Sequence, residues 1–249
     1  MAGPIRAGGV AEAQPALQRA GGGATPTPAL QPTARFRAKD LLVRPIPHKI
    51  ARLVCEQSHY LRSYPGGAML AFGVFVGARL LGVGVLGVGP ANIRCLFREA
   101  QRKEVACLAR LWLDDRLGRN SESRTLGIIL RCLRRDQDTI KAVVAYSDPA
   151  AGHTGMIYRA AGFLYLGPSQ ATPLYALNGG KPRHSRSLSH SFGSHSIKHF
   201  RAHGVEVELV EQSPKHTYIA LVDPRWRERL ARPVMPYLTL QQEIGHGDS

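Results

Sequence analysis

The sequence predicts a mixed α/β fold: a central sheet flanked by helices, with a basic C-terminal extension. Three observations carry this reading. Apolar residues recur at helical spacing in 48–59 and 119–136. Short β-rich runs stand at 68–76, 80–89, 104–114 and 140–147, bounded by Gly and Pro. Helical and strand patterns then alternate in the order β-α-β-β-β-α-β-α-β, which favours one mixed sheet over separate layers.

Residues 1–36 are rich in Ala, Gly, Pro and Gln with no apolar period, so they read as a disordered tail. A catalytic core is expected over 37–167, a basic extension packing on it over 168–238, and a flexible tail over 239–249. Within the core, 40–47 is a short strand broken by prolines. Residues 48–59 place Ile50, Leu53 and Val54 on one helical face, ending at His59 and Tyr60 before a Pro65-Gly66-Gly67 turn. The runs AMLAFGVFV and LLGVGVLGVG, joined around Gly77-Ala78-Arg79, predict a hairpin. Residues 104–114 form a mostly buried strand. Helix 119–136 carries the capping types Asn120, Ser121 and Ser123 at its start and Arg131, Arg134 and Arg135 in its last turn. A strand at 140–147, a crossover, a helix over 154–161 and a strand at 163–166 follow. Further on, 215–223 is a strand and 223–231 a short helix.

Charge limits the choice of partner. The 249 residues carry 33 Lys and Arg against 18 Asp and Glu, a formal charge of +15. An enzyme of small acidic metabolites has little use for that excess, whereas a polyphosphate partner does. The four Cys show no CxxC and read as free thiols, which disfavours a zinc knuckle or a disulfide framework. The apolar run 66–91 is Gly-rich and interrupted by Arg79, so it is a hairpin rather than a membrane span. A cytoplasmic protein without a membrane partner is expected.

Three features converge on one sheet edge. The stretch RLGRNSESR opens a helix with hydroxyls, Arg and unpaired backbone amides, a setting suited to anions. The crossover YSDPAAGHTGMIYRAAGF carries Asp148, His153 and Tyr158 where an α/β sheet presents reactive groups. His59 and Tyr60 end the first helix. Arg110, in an otherwise apolar strand, needs an anionic partner, either Asp148 or a ligand phosphate.

The element order and the run IYRAAGF resemble the GNAT acyltransferase fold, in which a Tyr on this helix often serves as general acid. The loop RNSESRT departs from that fold's Gly-rich pyrophosphate signature. A closer resemblance is to the bacteriophage Mom family. It rests on SHY (58–60), LARL (108–111), RNSESR (119–124), YSD with GHTGMIYRA (146–160), KHTYI (215–219) and PY (236–237). It implies a DNA-modifying transferase that adds a carbamoylmethyl (acetamido) group to N6 of adenine in double-stranded DNA, protecting phage DNA from restriction. It also implies catalytic roles for His59, Tyr60, Arg110, Asp148 and Tyr158. Donor contacts would fall to Ser123 with Asn120, Ser121 and Arg124. An acyl-CoA such as acetyl-CoA, and iron, are the cofactors it suggests. The late PY departs from the family's PYPK, since Leu238 and Thr239 follow.

The residues support parts of this independently. Asp148 orients or deprotonates an amine, or simply makes an Asp-Pro turn; Tyr158 donates a proton or stacks on a base. From Pro168 to Val205 no acidic residue occurs, so Lys181, Arg183, Arg186, Lys198 and Arg201 are expected to meet DNA phosphates. The five His of that stretch match no standard zinc-finger spacing. Chemistry on N6 within a duplex requires extrusion of the adenine. The competing functions are an acetyltransferase of proteins or small molecules, which should carry a Gly-rich loop, and a nonenzymatic DNA-binding protein.

Overall fold

A computed structural model describes residues 36–169, 173–183, 188, 192, 196–211 and 214–237. The tails expected at 1–36 and 239–249 fall outside the described residues except for Phe36. Strand β1 (Leu42–Pro45) ends at a proline, which brings no amide to a ladder. Helix α1 (His48–Ser58) buries Ala51 and Cys55, four residues apart on one face. Strands β2 (Ala68–Val76) and β3 (Arg79–Gly87) form the expected hairpin, and its turn places Gly77 at φ +58, a conformation glycine adopts freely. Strand β4 (Val105–Leu113) returns antiparallel to β3. Helix α2 (Ser121–Asp136) buries Leu126, Ile129, Leu130 and Leu133 at i, i+3, i+4 and i+7. Strand β5 (Ala142–Ser147), helix α3 (Met156–Ala160) and strand β6 (Leu164–Pro168) complete the expected series.

The later region is more structured than its composition suggests. Strands β7 (Leu174–Leu177) and β8 (Val207–Val210) pair as a small antiparallel sheet, and between them helix α4 (Ile197–Ala202) buries Phe200. Strand β9 (His216–Leu221) then enters the central sheet, whose order is β1-β2-β3-β4-β5-β9-β6. The segment expected to pack on the core therefore supplies one of its interior strands. Past β9, Met235 donates its amide to Tyr165 O at 2.8 Å, covering the outer side of β6.

Helices cover both faces. On β3, Val83 and Val85 point to α1, whereas Leu86 joins the cluster under α2. Gly84 lets α2 approach, since a Cβ there would stand 2.9 Å from Ile129 Cδ1. Among the described residues no helix is long and apolar enough to cross a membrane.

One irregularity positions the site. Every neighbouring pair in the central sheet is antiparallel except β4–β5, and that parallel pairing covers only Val105–Cys107 against Ala142–Val144. Beyond it, β4 stays with β3 as far as Leu113, while β5 stays with β9 as far as Ser147. The strands therefore part, and a fork opens above Cys107.

Candidate active site in the fork

The β4 side of the fork holds hydrogen-bond donors. A bulge between Val85 and Leu86 sets Arg110 opposite Val85 and Cys107 opposite Gly87, so both face the α1 side. The Arg110 guanidinium donates from Nε to Ser63 O and from Nη2 to Ser63 Oγ, each at 3.1 Å, and from Nη1 to Ala109 O at 2.7 Å. Asp148, one of the two partners expected for it, does not pair with it; Ser63 of the α1–β2 turn and the Ala109 carbonyl supply neutral acceptors instead. His59, at the end of α1, is 4 % exposed. Burial, then the positive Arg110, then His153 push its pKa down to about 4. Its Nδ1 accepts the Leu61 amide at 3.1 Å, so the neutral ring carries its proton on Nε2. Tyr60 stacks on that ring at 4.5 Å between centroids yet remains 69 % exposed.

The β5 side holds an acceptor and phenols. Asp148 follows β5 directly; its Oδ1 accepts the Ala150 amide at 3.1 Å and its Oδ2 pairs with Lys215 Nζ at 3.1 Å. Lys215 arrives there because β9 lies beside β5. Tyr158, on α3, packs its ring on Tyr218 at 5.1 Å and donates to Tyr146 O at 3.4 Å. Burial, reinforced by Cys107, Tyr218 and Tyr60, holds its phenol far above the usual tyrosine range. Tyr146 is pushed up to about 12, chiefly by burial. Gly155, at φ +73, brings the chain against Tyr218, where a Cβ would collide with the hydroxyl.

The two sides meet where Tyr60 touches His153 edge-on, with centroids 6.0 Å apart. His59, Tyr60, Arg110, His153 and Tyr158 thus gather around the fork, with Asp148 at its β5 rim. Ser63, Lys215, Tyr146 and Tyr218 were missed. Lys215 opens the KHTYI run, but its pairing depends on a strand inserted from far along the chain.

The α2 terminus differs from expectation in detail. Asn120 is left-handed at φ 66, and no side chain caps the helix. Ser121 and Ser123 do not cap; they donate backward, to Gly118 O at 2.6 Å and Asn120 O at 3.2 Å. Arg124 reaches Lys39 O at 3.4 Å. The first-turn amides therefore receive no side-chain acceptor. Nearby hydroxyls are idle as well: Thr125 Oγ1 and Ser147 Oγ are buried without a hydrogen-bond partner. Among the basic residues expected at DNA, Lys181, Lys198 and Arg201 are exposed. Arg183 lies over the Phe192 ring at 5.7 Å, and Arg186 falls outside the described residues.

Comparison with known proteins places this geometry. The model of the Mom protein family matches residues 40–239, which include both sides of the fork. The methylcarbamoylase Mom of Escherichia phage Mu is 29 % identical over 203 residues, covering 78 % of this chain and 81 % of the phage protein. Among solved structures, NAA60 of Arabidopsis thaliana with acetyl-CoA aligns at a TM-score of 0.45 and 10 % identity, over 74 % of this chain and 99 % of that one. The ribosomal-protein-S5-alanine acetyltransferase of Vibrio fischeri aligns at 0.42 and 12 % identity, over 75 % and 95 %.

Proposed function

This chain belongs to the Mom protein family, and we propose that it transfers a carbamoylmethyl (acetamido) group to the exocyclic N6 of adenine in double-stranded DNA. The observation that carries the reading is that the family match encloses a fork with hydrogen-bond donors on one side and a carboxylate with a protonated phenol on the other. A formal charge of +15 supports a DNA substrate in the host cytoplasm.

The roles follow from the contacts. An extruded adenine stacks on the exposed face of Tyr60. Its N6 is a poor nucleophile because the lone pair is delocalised into the ring. Asp148, held by Lys215, accepts an N6–H hydrogen bond and then the proton as the new N–C bond forms. His59 Nε2–H, a neutral donor, hydrogen-bonds the carboxamide oxygen of the transferred group and so holds its methylene carbon toward N6, with Arg110 adding positive potential. Tyr158, kept protonated by burial, gives its proton to the leaving group.

The implied cofactors fit unequally. A CoA donor would lay its phosphates on the uncapped amides of Glu122 and Ser123, near Arg124, with Thr125 and Ser147 offering idle hydroxyls beneath. Bound there, a CoA thioester would supply an acyl carbon with a thiolate leaving group, which gives an N6-acyl adenine. A carbamoylmethyl group, joined to N6 through its methylene, needs instead a donor whose leaving group sits on that methylene. Iron finds less support: no group of three His, Cys, Asp or Glu that could hold a metal ion occurs among the described residues.

Nucleoside mass spectrometry of DNA from a restriction-deficient bacterium expressing the protein tests this. A heavier deoxyadenosine with wild type, absent with Asp148→Asn, is expected. Unmodified DNA from well-expressed wild type would sink the proposal, and an acetylated protein or small molecule in its place would support the acetyltransferase function.

A further inference from the structure

The long β3–β4 connection contains a second cationic feature, on a segment separate from the acid-free stretch 168–205. It forms an open cleft of about 570 Å³ beside the closed end of the fork. Val88, Pro90, Ile93 and Val105 give it apolar walls, and Arg94, Arg102 and Lys103 give it charge. No carboxylate lines it. Glu104, the acidic neighbour in sequence, turns its carboxylate to the Gln101 amide at 2.6 Å. Arg94, Arg102 and Lys103 are exposed, and among the described residues none has an ion pair or a side-chain hydrogen bond. Lys103 stands at φ +76, so the turn carrying two of these cations holds a conformation that L residues rarely adopt. Three like charges gathered around one cleft repel one another, and the arrangement is relieved by an anion.

Position says which anion. Gly89 lines the cleft and also packs on Cys107, where a Cβ would stand 2.7 Å from the Cys107 Cβ. Cys107 is the last residue of β4 paired with β5, so the cleft shares a wall with the base of the fork. Val105, Cys107 and Arg110 lie along one strand. At about 3.3 Å per residue the cleft is roughly 15 Å from Arg110, or about four base pairs of duplex at 3.4 Å per step along a strand.

We propose that the Arg94–Arg102–Lys103 cleft is a phosphodiester-binding subsite, gripping the DNA backbone several base pairs from the adenine that enters the fork. The inference rests on the functional reading above and adds an anchor to it. The test is binding of a labelled, adenine-containing duplex across a salt series, by fluorescence anisotropy. The comparison is between wild type and the Arg94→Ala/Arg102→Ala/Lys103→Ala variant, with inorganic pyrophosphate titrated in parallel. The triple variant should reduce the slope of log affinity against log salt by about three, roughly one per cation removed. Arg94→Lys/Arg102→Lys should keep the wild-type slope, because a point charge suffices for a phosphate. An unchanged slope in the triple variant, with wild type binding normally, overturns the subsite alone. A variant that keeps its DNA slope but loses pyrophosphate binding overturns the DNA assignment in favour of a small phosphate ligand. Wild type that fails to bind DNA overturns both this inference and the functional reading.

Discussion

The two sides of the fork are built by different means. On the β4 side, backbone groups set the chemistry: the Leu61 amide fixes the His59 tautomer, and Ser63 with the Ala109 carbonyl holds the Arg110 guanidinium. On the β5 side, side chains from distant segments do so, with Lys215 on Asp148 and Tyr218 against Tyr158. The first side donates hydrogen bonds whatever the pH near neutrality. The second holds a carboxylate beside an ammonium, and phenols that burial keeps protonated. The transfer proposed above needs both at once, and the parting strands set the two around one fork.

Breaking the β5 side should cost most. Asp148→Asn keeps the volume but removes the proton acceptor. Modified adenine should fall by about a thousandfold, within the usual range for a general base, while DNA affinity holds. Mass spectrometry and anisotropy on the same preparation would check this, and substantial residual modification would move the base elsewhere. Tyr158→Phe should cost roughly a hundredfold in single-turnover rate, with less effect when the donor carries a better leaving group. Equal losses for good and poor leaving groups would show that the ring packs rather than donates.

The β4 side yields a smaller effect with a distinctive pH signature. His59→Gln should lower the rate by about tenfold, since one hydrogen-bond donor of several is altered. Stability tells more. The folded-state pKa of His59, about 4, lies below its ordinary 6.5, so the unfolded chain takes up the proton first. The stability contributed by the neutral ring is complete above about pH 6.5 and is lost as pH falls toward about 4. Urea midpoints of wild type should therefore decline across that window, and His59→Gln should flatten the decline. Parallel curves would mean that another group dominates acid unfolding.

Much of this was legible in the sequence. The period of α2, the hairpin and the strand–crossover–helix run with Asp148, His153 and Tyr158 are local patterns, and local patterns survive into the fold. The misses share a physical cause, which is separation along the chain. Arg110 needed a partner, and its neighbours in sequence gave no hint of Ser63, which reaches it across the sheet. Asp148 found Lys215 only because β9 inserts between β5 and β6. The helix-capping expectation failed at Asn120, whose left-handed backbone redirects the following hydroxyls to carbonyls. The acid-free run concealed β7, whose partner β8 lies just beyond it and some thirty residues away along the chain.

The place of β9 also orders the birth of the protein. In the central sheet β6 has one strand neighbour, β9, and β5 needs β9 to cover the edge not held by β4. During synthesis both earlier strands must wait, each with an open edge, for a segment that leaves the ribosome some fifty residues after β6, and such waiting is slow and exposed to mispairing. The same event delivers Lys215 to Asp148. Sheet closure and formation of the Lys215–Asp148 ion pair are one step, so a nascent chain cannot hold that pair on an unfinished scaffold.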